Sequence, residues 1–397
     1  MLLALANRMA READPRLLWK FLYHFAYKGA CASRLFRRRL AAGQYGPAFL
    51  FVSLTTRCNL HCQGCWVSSN GRPADLDAAV LDRIIAQGKR RGNYFYGILG
   101  GEPLLYPPVW DVLARHGDCY FQVFTNGTLL TDDVARTMRR LGNVSPLVSI
   151  EGLEAASDER RGGREVYHRT LEGLRACRRQ RLLTGVATSL CRSNVQDLVS
   201  ERFLRDLVAR GVLYLWYYIY RPVGPDPRPD LALGREDILR VRRFIVEARR
   251  RVPLVIVDAY WDDRGRAVCP AATGISCHVN PWSDIEPCPP IQFAAESVSP
   301  SGDLYHAIRD SAFLREFRRF ASETTPGCVL LERPDLLARF LAEHGARDTT
   351  GRGTGFEELG RMDPRPSHHV PGAEVPETHW FYRFAKRHWY FGFGAYA

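Results

Sequence analysis

Phe49-Leu50-Phe51-Val52-Ser53-Leu54-Thr55-Thr56-Arg57-Cys58-Asn59-Leu60-His61-Cys62-Gln63-Gly64-Cys65-Trp66 joins two signals that decide how the rest of the chain is read. The apolar, β-branched and aromatic run at 49–56 reads as a buried strand. A loop with three cysteines in a CxxxCxxC arrangement follows it at once. Three thiolates on one short loop can hold three corners of an iron–sulfur cubane and leave the fourth iron open to a ligand. Taken alone, the loop also admits a structural zinc site, with His61 beside the three cysteines.

Outward from this strand the chain alternates. Further strand-like runs lie at 94–99, 119–125, 144–150, 183–190 and 213–220. Amphipathic, helix-period segments separate them at about 75–90, 108–116, 131–140, 164–180 and 201–210, with another at about 235–250. Six strand-then-helix units predict an α/β fold with a parallel sheet, and their number suits a partial (β/α)6 barrel of the TIM type, with chemistry at the C-terminal ends of the strands. Residues 1–47 form an N-terminal helical extension and 48–260 the barrel, with Leu254 to Val257 as a candidate extra strand. Residues 261–345 form a smaller module, and 346–397, rich in Gly, Pro, Arg and Asp up to 377, a wrapping tail with an aromatic end.

The strand ends carry a second layer of signal. Gly100-Gly101-Glu102-Pro103 closes the second strand, Thr125-Asn126-Gly127 the third and Ser149-Ile150-Glu151-Gly152 the fourth. With the three-cysteine loop, over about 48–222, these motifs resemble the radical S-adenosylmethionine (SAM) superfamily, and the zinc reading recedes. The resemblance implies that Cys58, Cys62 and Cys65 ligate a 4Fe–4S cluster whose open iron binds SAM, and that one electron splits SAM to give a 5′-deoxyadenosyl radical. It implies that Gly100 and Gly101 let backbone approach the methionyl group, that Glu102, beside Pro103, pairs with its amino group, and that Asn126 belongs to the same SAM-binding turn. Ser149 is placed for the ribose or carboxylate, Arg192 for the carboxylate, and Trp66 for the adenine or for packing. No Ser–His–Asp logic and no P-loop is required or found.

Cys269, Cys277, Cys288 and Cys328 lie beyond the barrel. Cys269-Pro270-Ala271-Ala272-Thr273-Gly274 and Glu286-Pro287-Cys288-Pro289 resemble the start of the auxiliary-cluster domain called SPASM, or its shorter relative Twitch. The resemblance implies one auxiliary 4Fe–4S cluster, with Cys269 and Cys288 on motif positions and Cys277 and Cys328 completing the set, or an open iron if one of them is not a ligand. Buried free thiols or a zinc site remain the alternatives. Cys31, Cys119, Cys177 and Cys191 read as core residues.

Composition supports an ordered chain: 46% hydrophobic residues are enough apolar surface to bury a core, which excludes a disordered segment. The net charge of +12 is carried mainly by arginine. No secretory signal pattern and no window of about 18 apolar residues is seen, so the expected location is cytoplasmic, with reduced cysteines. Leu17 to Lys28 with the Arg34 to Arg39 run, and Phe384 to Trp389 around Lys386 and Arg387, have the aromatic and basic character of interfacial helices, so contact with a membrane surface is one expectation and packing on the barrel the other. The sixth strand is aromatic, and Tyr218, Tyr220 and Arg221 are candidate substrate contacts.

The leading expectation is a radical SAM oxidoreductase or transferase acting on a peptide or small molecule, with an electron donor such as flavodoxin or ferredoxin. The alternatives are a radical SAM enzyme acting on lipid or RNA, nucleic acid being the less expected partner, and a non-catalytic iron–sulfur or zinc protein. No cobalamin-binding or winged-helix peptide-recognition domain is recognised.

Overall fold

The computed structural model describes residues 1–67, 72–299 and 301–389. Seven strands run parallel and in chain order: β1 (Phe49–Ser53), β2 (Phe95–Leu99), β3 (Tyr120–Thr125), β4 (Val144–Ser149), β5 (Gly185–Leu190), β6 (Tyr214–Ile219) and β7 (Val255–Val257). Each pairs with the next, as in Leu50 opposite Tyr96 and Ile98 opposite Val123. All five residues of β2 are buried because helices cover its outer face and side chains fill the inner one. The helices start where short polar side chains cap them. Asp77 accepts from the amides of Ala79 and Val80, Thr131 from Val134 and Ser200 from Phe203.

On the free side of β1 the sheet continues with β8 (Ser276–Val279), parallel to it, and β9 (Ile285–Glu286), antiparallel to β8. The segment expected to begin a smaller module therefore first extends the barrel's own sheet. A short antiparallel pair, β10 (Phe293–Ala294) with β11 (Arg347–Asp348), ties the following loops to residues near 347.

The N-terminal extension is the helix Leu2–Glu12 followed by a continuous helix made of Pro15–Lys20, a π-helical stretch Phe21–Tyr27 and Lys28–Ala41. It crosses the N-terminal ends of the strands. Lys28 donates to the Asp118 carbonyl before β3 and Lys20 to that of Leu141 before β4. The Asp14 amide donates to Arg181 before β5, and Arg8 donates to Val212 before β6 and Pro253 before β7. Phe21 and Phe25 meet Tyr120 and Phe95 edge-on, closing the bottom of the barrel. Cys119, Cys177 and Cys191 are buried as expected, but Cys31 is exposed on the outer face of this helix.

The helix Trp380–His388 completes the same floor, packing against Lys28–Ala41. Asp258, just after β7, is fully buried among Arg242 (2.7 Å), Arg249 (3.0 Å) and Lys386, and Arg249 also meets buried Glu377. Of the two expectations for this helix, packing on the barrel describes Lys386, which is buried. It points inward, where Asp258 and the Trp261 carbonyl accept from its ammonium group. No described helix is long and apolar enough to cross a membrane.

Candidate active site

The cysteine loop lies over the ends of β1 and β2, and the Gly-Gly-Glu segment is what holds it. The Gly101 amide donates to the Thr55 carbonyl at 2.7 Å and the Glu102 amide to that of Arg57 at 2.8 Å. A Cβ on Gly101 would sit 2.2 Å from the Arg57 carbonyl oxygen, and one on Gly100, whose φ is +149°, 2.8 Å from that of Thr55. The space that a Cβ on either glycine would take is thus filled by the loop's own backbone.

Glu102 is fully buried and faces the third strand end. Its Oε1 accepts from the Leu104 amide and from Thr125 Oγ1, and its Oε2 from the Asn126 amide at 2.8 Å. Burial raises its pKa, opposed by these donors and by Arg161. Asn126 donates to Asn59, the residue after Cys58, at 2.8 Å, and Asn59 donates to Thr128. Motifs far apart in sequence therefore form one hydrogen-bonded unit around Cys58, whose thiol burial pushes up to about 12, with Cys62, Glu102 and Cys65 adding to the effect.

The structure adds a group that the sequence reading passed over. The helix Glu154–Arg161 ends in two buried arginines. Arg161 donates Nη1–H to the Cys62 sulfur at 3.6 Å and Nη2–H to Glu151 at 3.3 Å. Burial works against its charge, yet Cys62 and Glu151 leave its pKa raised. Arg160 lies 4.6 Å over the Tyr220 ring and 3.6 Å from Glu151. The Arg-Arg-Gly-Gly run at 160–163 is the available signal: Gly162 ends the helix at φ +65°, where a Cβ would strike the His61 carbonyl at 2.2 Å.

One cavity of about 370 Å³ opens at this end of the barrel. Its walls include Cys62, Cys65, Ser149, Tyr218, Tyr220 and Arg221, together with Phe51, Phe124 and Trp216 from the barrel interior. Cys269, Cys288 and Cys328 reach the same cavity. Arg221 donates Nε–H to the Cys328 sulfur at 3.5 Å and Nη1–H to the Tyr260 hydroxyl. Burial raises the Cys269 thiol to about 11, and Cys328 adds to the effect.

Two expected residues stand elsewhere. Cys277 pairs with Leu50 in β8 and is buried in the apolar core, outside the cavity wall, because strand alternation turns it to the helix-covered face. Arg192 is exposed beyond β5, and the cations on the cavity wall are Arg160, Arg161 and Arg221. Gly100, Gly101, Glu102, Pro103 and Asn126 organise the cysteine loop from beside the cavity. Beneath Trp66, His278 bridges Ser53 (2.7 Å) and Glu286 (2.6 Å) in a fully buried relay that fastens β8 and β9 to β1. His61 is exposed, and among the described residues no three His, Cys, Asp or Glu are gathered around a single ion. A cubane spreads its thiolates wider than one ion does.

Residues 52–198 match the family model of the radical SAM superfamily. This stretch belongs to the radical SAM superfamily. A PqqA peptide cyclase from Streptomyces rochei is 28% identical over 261 residues, 61% of this chain and 69% of the relative. An AdoMet-dependent heme synthase from Methanosarcina barkeri is 32% identical over 210 residues, 51% of this chain and 59% of the relative. Among solved structures, Streptococcus suis SuiB bound to S-adenosylmethionine has a TM-score of 0.60 at 16% identity, covering 72% of this chain and 71% of that one, a likeness of fold. The protein is a radical SAM enzyme, and its family implies a 4Fe–4S cluster and SAM. The residues present fit such a group. Thiolates carry negative charge into a partly buried site, and Arg161 is held by Glu151 with its donor on one of them.

Proposed function

We propose that this radical SAM enzyme removes hydrogen from a peptide or small molecule seated in the cavity. In this reading one 4Fe–4S cluster rests on Cys58, Cys62 and Cys65, and a second, auxiliary cluster on Cys269, Cys288 and Cys328. The observation that carries it is that both cysteine groups reach one cavity, each with a guanidinium donating to a thiol. When bound, the cluster and SAM supply a one-electron cleavage that generates a 5′-deoxyadenosyl radical, with the electron from a donor such as flavodoxin or ferredoxin.

The chain's own residues do the positioning. Gly100, Gly101 and Pro103 fix the loop. Glu102, whose Oε2 accepts from the Asn126 amide, is the carboxylate assigned to the amino group of SAM. Ser149, on the wall, is placed for a ribose or carboxylate oxygen, and Asn126 locks the turn between them. Exposed Arg192 has no part in this assignment, and neither has Cys277. With three cysteines the auxiliary cluster keeps one iron free for substrate. Tyr218, Tyr220 and Tyr260 exclude water from the reacting region, and Arg221 offers a cation to an anionic substrate. The names of the two curated relatives, a peptide cyclase and a heme synthase, span the same two substrate classes.

Anaerobic reconstitution with iron and sulfide, followed by iron counting and a 5′-deoxyadenosine assay with SAM and dithionite, tests the reading. About eight irons and a cleavage that is lost in the Cys58/Cys62/Cys65→Ala variant are expected. About four irons with cleavage would remove the auxiliary cluster, and no cleavage in the wild type would remove the function.

A further inference from the structure

The helix over Pro15–Ala41 has two faces of different character. Leu17, Phe21, Phe25 and Phe36 pack toward the barrel floor. The opposite face carries Trp19, Tyr23, Tyr27, Cys31, Arg34 and Arg38, spaced by four, four, four, three and four residues and all exposed. Trp19 is 66% and Tyr27 62% exposed, and their rings form a stacked ladder through Tyr23, with centroids 6.1 and 5.8 Å apart. The neighbouring helix Trp380–His388 repeats the pattern with Trp380 66% and Phe384 54% exposed beside Arg383.

The two helices lie side by side. Trp389 donates its indole N–H to the Ala26 carbonyl, and Arg37 donates to the Arg387 carbonyl. Residues 15 to 47 contain seven Lys or Arg and no Asp or Glu, and Trp380–His388 also lacks an acid. Among the described residues no carboxylate pairs with Arg34, Arg38 or Arg383. Exposed aromatic groups beside Arg34, Arg38 and Arg383, which pair with no described carboxylate, match the headgroup region of an anionic bilayer, where indole and phenol rings are favoured and guanidinium groups meet phosphate. An acid-rich or purely apolar face would suit another occupant.

We propose that this face docks the protein on an anionic phospholipid surface. Because the face covers the N-terminal ends of the strands, while the cysteine loops and the cavity lie at the C-terminal ends, docking turns the cavity to the aqueous side. The membrane is then a place of attachment, and a lipid acyl chain does not reach the cavity. The inference stands independently of the substrate assigned above.

The test is flotation of the full chain with vesicles of phosphatidylcholine alone or mixed with phosphatidylglycerol. Binding is expected only to the mixed vesicles and is expected to fall with salt. The Trp19→Ser/Trp380→Ser/Phe384→Ser variant is expected to lose at least tenfold in partition. Arg34→Gln/Arg38→Gln is expected to lose about fivefold per arginine. Both variants are expected to keep the far-UV circular dichroism and the SAM cleavage rate of the wild type. Equal binding to neutral vesicles, no binding at all, or unchanged partition in the folded variants would overturn the proposal. So would a concentration-dependent dimer dissolved by the same substitutions, which would assign the face to a second copy. A chain ending at Trp389 is expected to bind as well as the full chain, and loss of binding there would assign the anchor to 390–397 and overturn the proposal for the helical face.

Discussion

Arg221 donates its Nε–H to the sulfur of Cys328 across 3.5 Å, the relation that Arg161 holds to Cys62 at the other cysteine loop. Each guanidinium is anchored on its far side, by the Tyr260 hydroxyl in one case and by Glu151 in the other. Hydrogen bonds from a charged donor to a thiolate favour the ionised, metal-binding form.

Replacing Arg221 by Met, of similar length without the charge, is expected to remove the second iron–sulfur site and spare the first. Iron content should fall from about eight to about four per chain while 5′-deoxyadenosine formation persists. Arg221→Lys should restore part of the iron. Paired iron and sulfide determination with low-temperature EPR checks both outcomes.

Arg161→Leu leaves Glu151, 11% exposed at its side chain, with Arg160 at 3.6 Å as its remaining cation beside the Ser189 amide that donates to it. Removing one partner of such a pair costs on the order of 3 kcal/mol. The double variant Arg161→Leu/Glu151→Leu should be less destabilised than the single one, because no carboxylate is left stranded. Denaturant midpoints of the four proteins of the cycle measure this.

Gly101→Ala would place a methyl group 2.2 Å from the Arg57 carbonyl oxygen, so the backbone entering the cysteine loop must move. A loss of about 1–3 kcal/mol is expected, together with iron loss from the first site. Chemical denaturation and iron content of the anaerobically purified variant report on the two separately.

His368, on the cavity wall, has its pKa lowered to about 3, by burial first and by Arg221 second. It is neutral in the folded chain, whereas the unfolded chain protonates it near about 6.5. Between these values the unfolded state binds more protons, so stability falls as pH drops through the window, by at most about 1.4 kcal/mol per pH unit. His368→Gln should flatten the difference in unfolding midpoint between pH of about 7.5 and about 5. An unchanged slope would mean that another group sets it.

Strands β1 to β6 were legible because each is a short apolar or aromatic run followed by an amphipathic helix, and the cysteine loop because its spacing is local. The helix Glu154–Arg161 was not legible: it is eight residues of mostly charged side chains whose buried face is two arginines, and no apolar period marks it. The glycines of the Gly100-Gly101 pair were recognised, but their partner turned out to be the loop backbone, a contact that only the fold creates. Cys277 looked equivalent to its neighbours because sequence order hides strand alternation: as the β8 residue opposite Leu50 it faces away from the cavity. Lys386 carried the appearance of a surface cation because Asp258, its partner, is 128 residues distant.

The barrel floor joins Ala26 to Trp389, groups 363 residues apart, and seats Lys386 on Asp258. During synthesis the N-terminal helix, whose Phe21 and Phe25 cover Tyr120 and Phe95, emerges first, whereas Tyr382, Ala385 and Trp389 reach the same floor only when the last described residues have left the ribosome. Completion of the floor by the Trp380–His388 helix is therefore a late folding event, which joins the two ends of the described chain.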